Sequence, residues 1–203
     1  VGEYPSHPHL LDHLAARFAA PVDDGRGGMG WSLKTLIREI VLSQTFRTAS
    51  IPDSESRQVD PQNRLLGHYP VRRMEAEAIR DSILSISGRL HPTMSGQSIQ
   101  PFREESNEIR RLFAGPLDGD GRRSVYIKVN LMEGPKFLGA FNVPGGKITQ
   151  GRRDVTNVPA QALTLLNDSF VIQQAGVWAD ALIAQEDEST AERLDVMFHR
   201  ALG

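Results

Sequence analysis

Residues 69–88 read Tyr-Pro-Val-Arg-Arg-Met-Glu-Ala-Glu-Ala-Ile-Arg-Asp-Ser-Ile-Leu-Ser-Ile-Ser-Gly, and we expect them to form the central helix of the fold. Apolar or small side chains recur there at steps of three and four residues, at Val71, Met74, Ala78, Ser82, Ile83 and Ile86. Pro70 suits a first helical turn, and Gly88 suits a left-handed helix end. The other faces are charged. The pattern therefore predicts a helix that packs on a core and presents polar groups at its rim.

A second helix is predicted just after Trp31. Ser32 can cap it, and a packing stripe follows at Leu33, Leu36, Ile37, Ile40 and Val41. Residues 22–30, before this helix, are rich in glycine and predict a flexible surface loop.

The C-terminal third predicts three more helices. One opens near Thr156, the next follows a break at Asn167, and the last begins at a capping box made by Ser189 and Glu192. Residues 102–113 predict a polar helix, and Asp118-Gly-Asp-Gly predicts a turn.

The fold class predicted for the chain is mostly α: a helical domain with one short β-strand or hairpin near residues 124–129. The strand is expected because Val125, Ile127 and Val129 alternate with polar residues. We expect residues 1–203 to form a single domain. In it, the central helix should pack against the helix after Trp31 and against the C-terminal pair of helices.

Composition excludes several classes of protein. The formal net charge of −2 leaves no overall basic surface for nucleic acid, so no nucleic-acid partner is expected. The absence of cysteine excludes disulfides, thiolate metal sites, iron–sulfur clusters and covalent c-type haem attachment on this chain. No apolar run is long enough to span a membrane, and no Gly-x-Ser-x-Gly motif marks a nucleophile.

Two histidines have a spacing that suits a metal. His9 and His13 are four residues apart on the first predicted helix, with Asp12 beside them. No third ligand can be assigned, and a polar flank beside the neighbouring leucines explains the pattern equally simply. We therefore predict no metal site, and no cofactor on this chain.

Three acids on the central helix are candidate site residues. Glu77 and Asp81 share one helix face with Glu75 nearby, so a carboxylate pair for acid–base chemistry is geometrically feasible. Arginines lie within helical reach of each acid, and we favour structural salt bridging. No catalytic residue is assigned.

Arginine doublets recur along the chain, at Arg72-Arg73, Arg110-Arg111, Arg122-Arg123 and Arg152-Arg153. Guanidinium forks can bind an anionic ligand such as a sulfated or uronic sugar, or they can hold segments of the chain together. We favour the internal role. The candidate ligand-binding set is Arg72, Arg73, Glu77, Asp81, Arg122, Arg123, Arg152 and Arg153. Within residues 151–167 we expect a polar network to the central helix and residues 124–129, with Arg153 bonded to Glu77 or Asp81.

Several stretches together resemble one known family. They are Pro-Ser-His-Pro-His-Leu-Leu-Asp-His-Leu-Ala (5–15), Trp-Ser-Leu-Lys-Thr-Leu-Ile-Arg (31–38), Asp-Pro-Gln-Asn-Arg-Leu-Leu (60–66), Arg-Arg-Met-Glu-Ala-Glu-Ala-Ile-Arg-Asp (72–81), Phe-Leu-Gly-Ala-Phe-Asn-Val-Pro (137–144) and Gly-Arg-Arg-Asp-Val-Thr-Asn-Val-Pro-Ala-Gln-Ala-Leu-Thr-Leu-Leu-Asn-Asp-Ser-Phe (151–170). The set resembles the planctomycete-type domain of unknown function 1553, and the resemblance spans nearly the whole chain.

The resemblance implies an internal fragment of a larger, exported protein of the periplasm or cell surface. Such proteins typically carry a cytochrome c-like domain upstream, so any haem would lie on that domain, and none is expected on this chain. The resemblance implies other domains of the same polypeptide as partners, and the arginine doublets leave an anionic polysaccharide open as a further partner. The resemblance supplies no catalytic residues.

Two functions follow as hypotheses. The first is an uncharacterised module of an exported, cytochrome c-associated protein, acting in scaffolding or ligand presentation. The alternative is part of an extracellular enzyme or electron-transfer assembly that acts on polysaccharide. The two differ in whether the arginines and acids pair with each other or converge on an open cavity.

Overall fold

A computed structural model describes residues 4–22, 25, 27–100, 115–129, 134–185 and 189–203. The predicted helix at 102–113 and the doublet Arg110-Arg111 lie outside these residues. The chain divides into two compact units, Val1–Arg72 and Arg73–Gly203. The single domain expected for residues 1–203 stays a prediction.

The described residues form eight α-helices. They are α1 (Pro8–Ala19), α2 (Leu33–Leu42), α3 (Ser54–Val59), α4 (Ala76–Ser87), α5 (Lys136–Ala140), α6 (Pro159–Asn167), α7 (Ser169–Ile183) and α8 (Thr190–Leu202). The mostly α-helical class is therefore confirmed. The predicted caps at Ser32 and Ser189 are also confirmed: each hydroxyl accepts a hydrogen bond from the backbone N–H three residues later.

In the first unit, the glycine-rich loop returns to the end of α1. The backbone N–H of Met29 donates to the carbonyl of Arg17 (2.8 Å), and that of Trp31 donates to Phe18 (2.8 Å). Met29 is only 1% exposed. The predicted surface loop at 22–30 thus includes a buried side chain, while its flexibility stays a prediction.

Helix α2 exposes most of its predicted packing stripe. Leu33 is 64% exposed and Ile37 is 57% exposed, so the first unit by itself does not cover these residues. The reason lies in a polar contact, because α2 meets α1 through Glu39. That carboxylate pairs with both terminal nitrogens of Arg17, one of them at 2.7 Å.

Helix α4 is shorter than predicted. It begins at Ala76, and residues 71–75 are not helical. Two tertiary contacts hold this segment outside the helix: Arg73 Nη1 donates to the carbonyl of Thr156 (2.8 Å), and Glu75 lies 3.3 Å from Arg153. The predicted end is confirmed, with Gly88 in the left-handed region at φ 79°.

The buried face of α4 also differs from the predicted stripe. The buried residues are Ala76, Arg80, Leu84 and Ser87, at steps of three and four. They include an arginine that the charge pattern places at the rim, whereas Val71 and Met74 are exposed.

The core of the second unit surrounds α4 and α5. Ala76, Leu138 and Phe141 are buried there. Phe137 joins α7 to this cluster, with its ring 5.3 Å from that of Phe170. Helix α4 contacts α7 directly, which confirms its packing against the first of the two C-terminal helices. The predicted packing against the helix after Trp31 stays a prediction.

The short strand predicted at 124–129 is wrong. Residues Ser124–Tyr126 form a 3-10 turn, and beyond it Ile127 makes an isolated parallel bridge with Ile99. The physical reason is that the backbone donors are used elsewhere. The N–H of Ser124 donates to Asp81 (2.7 Å), and the N–H of Ile127 closes the turn on the carbonyl of Ser124 (3.0 Å).

Candidate functional site

The acids of the central helix are paired with arginines. Arg153, in the segment before α6, donates from Nη1 to Glu77 Oε2 (2.6 Å) and from Nη2 to Glu77 Oε1 (3.0 Å). This bidentate pair confirms the predicted bond between Arg153 and the central helix. The hydrogen bond from Arg153 lowers the pKa of Glu77, and the same bond raises the pKa of Arg153.

Asp81, on α4, contacts Ser124, the first residue of the 3-10 turn. Its Oδ1 accepts from both the backbone N–H and the hydroxyl of Ser124, each at 2.7 Å. Its Oδ2 lies 3.7 Å from Arg123 Nε. Helix α4 and residues 124–126 are therefore joined by a carboxylate that uses both of its oxygens internally.

Arg80 is the residue at the centre of this arrangement, and charge patterning missed it. The residue is 5% exposed. Its Nη1 donates to the carbonyl of Arg122 (2.9 Å) and to the hydroxyl of Ser124 (3.2 Å), and its Nη2 donates to the carbonyl of Asp118 (2.7 Å). Desolvation lowers the pKa of Arg80, with Asp81 and Asp118 opposing the shift.

Aromatic contact completes the burial of Arg80. Its guanidinium carbon lies 5.4 Å from the centroid of the Phe170 ring, on α7. One sequence signal points to this burial: Arg80 falls four residues from both Ala76 and Leu84, on a narrow face of small and apolar side chains.

The turn predicted at residues 118–121 is confirmed and lies against Arg80. Asp118 is buried, and its Oδ2 accepts from Arg89 Nη2 (2.8 Å) while its Oδ1 accepts from the N–H of Asp120 (3.0 Å). Gly121 has φ 70°, and a Cβ there would lie 1.9 Å from the carbonyl oxygen of Arg89. Glycine is therefore required at this position.

The remaining doublet arginines do not meet at one point. Arg122 stacks on the Tyr126 ring at 4.1 Å and donates from Nη2 to the carbonyl of Ser95 (2.6 Å). Arg73 bonds the carbonyl of Thr156, as described above. Arg72 and Arg152 are exposed.

A polar network surrounds Thr156, as predicted for residues 151–167. Its hydroxyl accepts from Asn142 Nδ2 (2.8 Å) and Gln161 Nε2 (3.2 Å), and Gln161 is 2% exposed. Arg153, in the same segment, bonds Glu77 of α4. The link from α4 to residues 124–126 is made instead by Asp81 and Arg80, so the predicted source of that link is wrong.

Two pockets in the second unit border these residues. The smaller, of about 110 Å³, has Arg80 and Asp168 on its wall, with Ile127, Phe137 and Leu138 among its apolar residues. The larger, of about 560 Å³, is mainly apolar and has Glu75 and Glu77 at its edge. No arginine of the doublets lines either of these two pockets.

The described residues show neither a metal-binding cluster nor a membrane-spanning helix. Among them, no three histidines, aspartates or glutamates are grouped so as to hold a metal ion. The expected lack of a cofactor on this chain stays a prediction. Within the same part of the chain, no helix combines the length and the apolar character needed to cross a bilayer.

Comparison with known proteins agrees with the resemblance seen in the sequence. The sequence model of one family matches residues 1–203, which is the whole chain. No curated protein matches at a significant level, and neither does any solved structure. The chain therefore belongs to the family described as "Protein of unknown function (DUF1553)".

Proposed function

We propose that this chain is a non-catalytic module that serves as a scaffold, or presents a ligand, within a larger exported protein. The context comes from the family resemblance, which implies a cytochrome c-like domain elsewhere in the polypeptide. In this proposal the chain binds no haem itself, and its partners are other domains of that polypeptide.

One observation carries the proposal: the two candidate acids, Glu77 and Asp81, are already bonded within the fold. Glu77 is held by Arg153, and Asp81 is held by Ser124 with Arg123 near its second oxygen. A general acid or base needs a proton-transfer position facing the substrate, and a ligand-binding guanidinium needs free donors. Here the carboxylates of Glu77 and Asp81 and the donors of Arg153 are bonded within the fold, where they contribute to stability.

The test separates stability from chemistry in the full-length protein. Glu77→Gln and Arg153→Met are compared with wild type in thermal melts and in a turnover screen against polysaccharides, including sulfated and uronic types. A scaffold is expected to show lower melting temperatures in both variants and no turnover in any sample. Turnover by the wild type that Glu77→Gln abolishes, with an unchanged melting temperature, would contradict the proposal.

Ligand presentation is tested by anionic glycans, since Arg72 and Arg152 are exposed and have no ion pair with any residue that the structure describes. A glycan array with wild type and with Arg152→Ala measures this role. Binding that falls in Arg152→Ala supports presentation by the exposed surface around Arg152 in the second unit. Equal binding by both proteins would assign the glycan to a different surface. Cell fractionation of the native host checks the expected export.

A second candidate function is favoured by the larger pocket. Glu75 and Glu77 lie together at its edge, and the Glu75 side chain is 65% exposed. This arrangement would suit one wall of a carbohydrate-acting cleft completed by another domain. The turnover screen described above distinguishes it, because Glu75→Gln would then lower the rate without lowering the melting temperature.

A further inference from the structure

Helix α2 presents an apolar stripe that its own unit leaves uncovered. Leu33, Ile37, Ile40 and Val41 are 64%, 57%, 41% and 37% exposed. Their spacing of four, seven and eight residues places them along one face of the helix. Scattered apolar residues are normal on a surface, but a continuous stripe is typical of an interaction site.

A basic border runs along one side of this stripe. Lys34 and Arg38 are four residues apart, adjacent to the stripe on the helical wheel, and both are exposed. Neither side chain forms an ion pair within the part of the chain that the structure describes. Glu39, the acid of α2, is occupied by Arg17. The uncovered face of α2 therefore combines apolar contact area with unopposed positive charge.

The surface where the apolar stripe meets the basic border is slightly concave. A shallow depression of about 470 Å³ is lined by Lys34, Thr35, Ile37, Arg38, Val41 and Leu42. A side chain placed there would meet apolar atoms and a cation together.

We propose that α2 is the docking face for an acidic amphipathic helix of another domain or protein. Leucine-type side chains of that helix would cover Ile37 and Val41, and its flanking carboxylates would pair with Lys34 and Arg38. This is the helix-in-groove mode of recognition, in which apolar anchors supply affinity and charge supplies register and specificity.

Two other occupants fit the face less well. A second copy related by two-fold symmetry would bring the basic borders of both copies to the same interface. An anionic bilayer usually recruits clusters of about four to eight lysines or arginines, whereas this face offers two. Charge complementarity therefore favours the acidic helix.

The test uses a synthetic peptide of about 18 residues, five helical turns, with leucine at helical spacing and glutamate beside it. Fluorescence anisotropy of the labelled peptide measures binding to the 203-residue chain. We expect saturable binding that salt weakens. The double variant Lys34→Glu/Arg38→Glu should bind about tenfold or more weakly, and a peptide with lysine in place of glutamate should bind that variant better than wild type.

Control variants test whether the loss of binding is specific to the face of α2. Arg57→Glu reverses an exposed cation on α3 and should leave binding unchanged. Both substitutions on α2 exchange good helix formers, and far-UV circular dichroism confirms that each variant is folded. A single Ile37→Ser substitution should also weaken binding, since it removes an apolar anchor.

Four results would overturn the proposal. The first is no saturation at about 1 mM peptide, and the second is equal affinity in the charge-reversed variant. The third is self-association of the chain that Ile37→Glu abolishes, because that would assign the face to a second copy. The fourth is binding to vesicles of phosphatidylcholine and phosphatidylserine that requires Lys34 and Arg38, because that would assign it to a bilayer.

Discussion

Replacing Arg80 by methionine should destabilise the second unit more than any other single change to its charged residues. Methionine keeps much of the apolar stem but removes every donor. The guanidinium of Arg80 donates to the carbonyls of Arg122 and Asp118 and to the hydroxyl of Ser124, at 2.7–3.2 Å. All three acceptors would lose their charged donor in a site where the arginine itself is 5% exposed.

The magnitude follows from what remains after the change. Each buried acceptor left unpaired costs about 1–3 kcal/mol, so three would cost up to about 9 kcal/mol if none found a new partner. Water entering the adjacent pocket of about 110 Å³ can satisfy part of this demand. We therefore expect a loss of unfolding free energy of about 3–5 kcal/mol, between the cost of one unpaired acceptor and that of three.

Urea unfolding monitored by tryptophan fluorescence measures the effect. The chain has two tryptophans, one in each unit, so a Trp31→Phe background leaves Trp178 as the reporter of the second unit. Arg152→Met is the matched control, since Arg152 is exposed, and it should stay within about 0.5 kcal/mol of wild type. Arg80→Lys should be intermediate, because an ammonium keeps the charge but does not span three acceptors.

A loss of less than about 1 kcal/mol in Arg80→Met, relative to Arg152→Met, would refute this reasoning. It would mean that the carbonyls and the hydroxyl are satisfied without the guanidinium, and that Arg80 does not organise the turn. Equal m-values for Arg80→Met, Arg80→Lys and Arg152→Met would show that the substitutions change stability and not the surface exposed on unfolding.

The other predictions concern an ion pair, two glycines and the first unit. Glu77→Gln should lose about 1 kcal/mol near neutral pH, since its arginine partner is partly exposed. Because the pair lowers the folded-state pKa of Glu77, this contribution is complete above the unfolded-state pKa of about 4.3 and disappears as the pH falls through the folded-state pKa. Urea unfolding midpoints of wild type and Glu77→Gln, measured against pH, check this. A difference between the two proteins that stays constant at acid pH would contradict it. Gly121→Ala should lower the unfolding free energy by about 1–3 kcal/mol or more, through backbone strain and a clash with the carbonyl of Arg89. Gly176→Ala should raise it by about 0.4–1 kcal/mol, because Gly176 lies in α7 and a Cβ there would meet no other atom within 4 Å. The melting temperatures of the two variants should therefore shift in opposite directions. Met29→Ala should cost about 2–5 kcal/mol, because that side chain is 1% exposed; a neutral result in the same melts would mean that the loop does not pack as described.

Part of the candidate site could be predicted from charge and spacing. The pairing of Arg153 with the central helix was expected because residues 151–167 are rich in side chains that form hydrogen bonds, and α4 carries acids that can accept those bonds. The role of Arg80 could not be predicted in this way. On a helical wheel it falls beside Glu77, which suggests a solvated pair, but the acceptors that bury it come from residues 118–124, far along the chain.

The strand failed for a related reason. Alternation at Val125 and Ile127 is a local signal, and a strand also needs a partner with free donors and acceptors. In the folded unit, the N–H of Ser124 donates to Asp81 and is therefore not available to a strand ladder.

What the sequence determined by itself includes the caps at Ser32 and Ser189 and the glycine end of α4, because each depends on residues close together in the chain. It also determined the helical class and the family, because their signals add up along the whole chain. The tertiary structure alone decided which face of α4 is buried, where that helix begins and why α2 remains exposed. Those outcomes depend on hydrogen bonds and ion pairs between distant segments, such as Arg17 with Glu39 and Arg73 with Thr156. A buried polar group must find its partner wherever the fold places it, and periodicity along one helix carries no information about that partner.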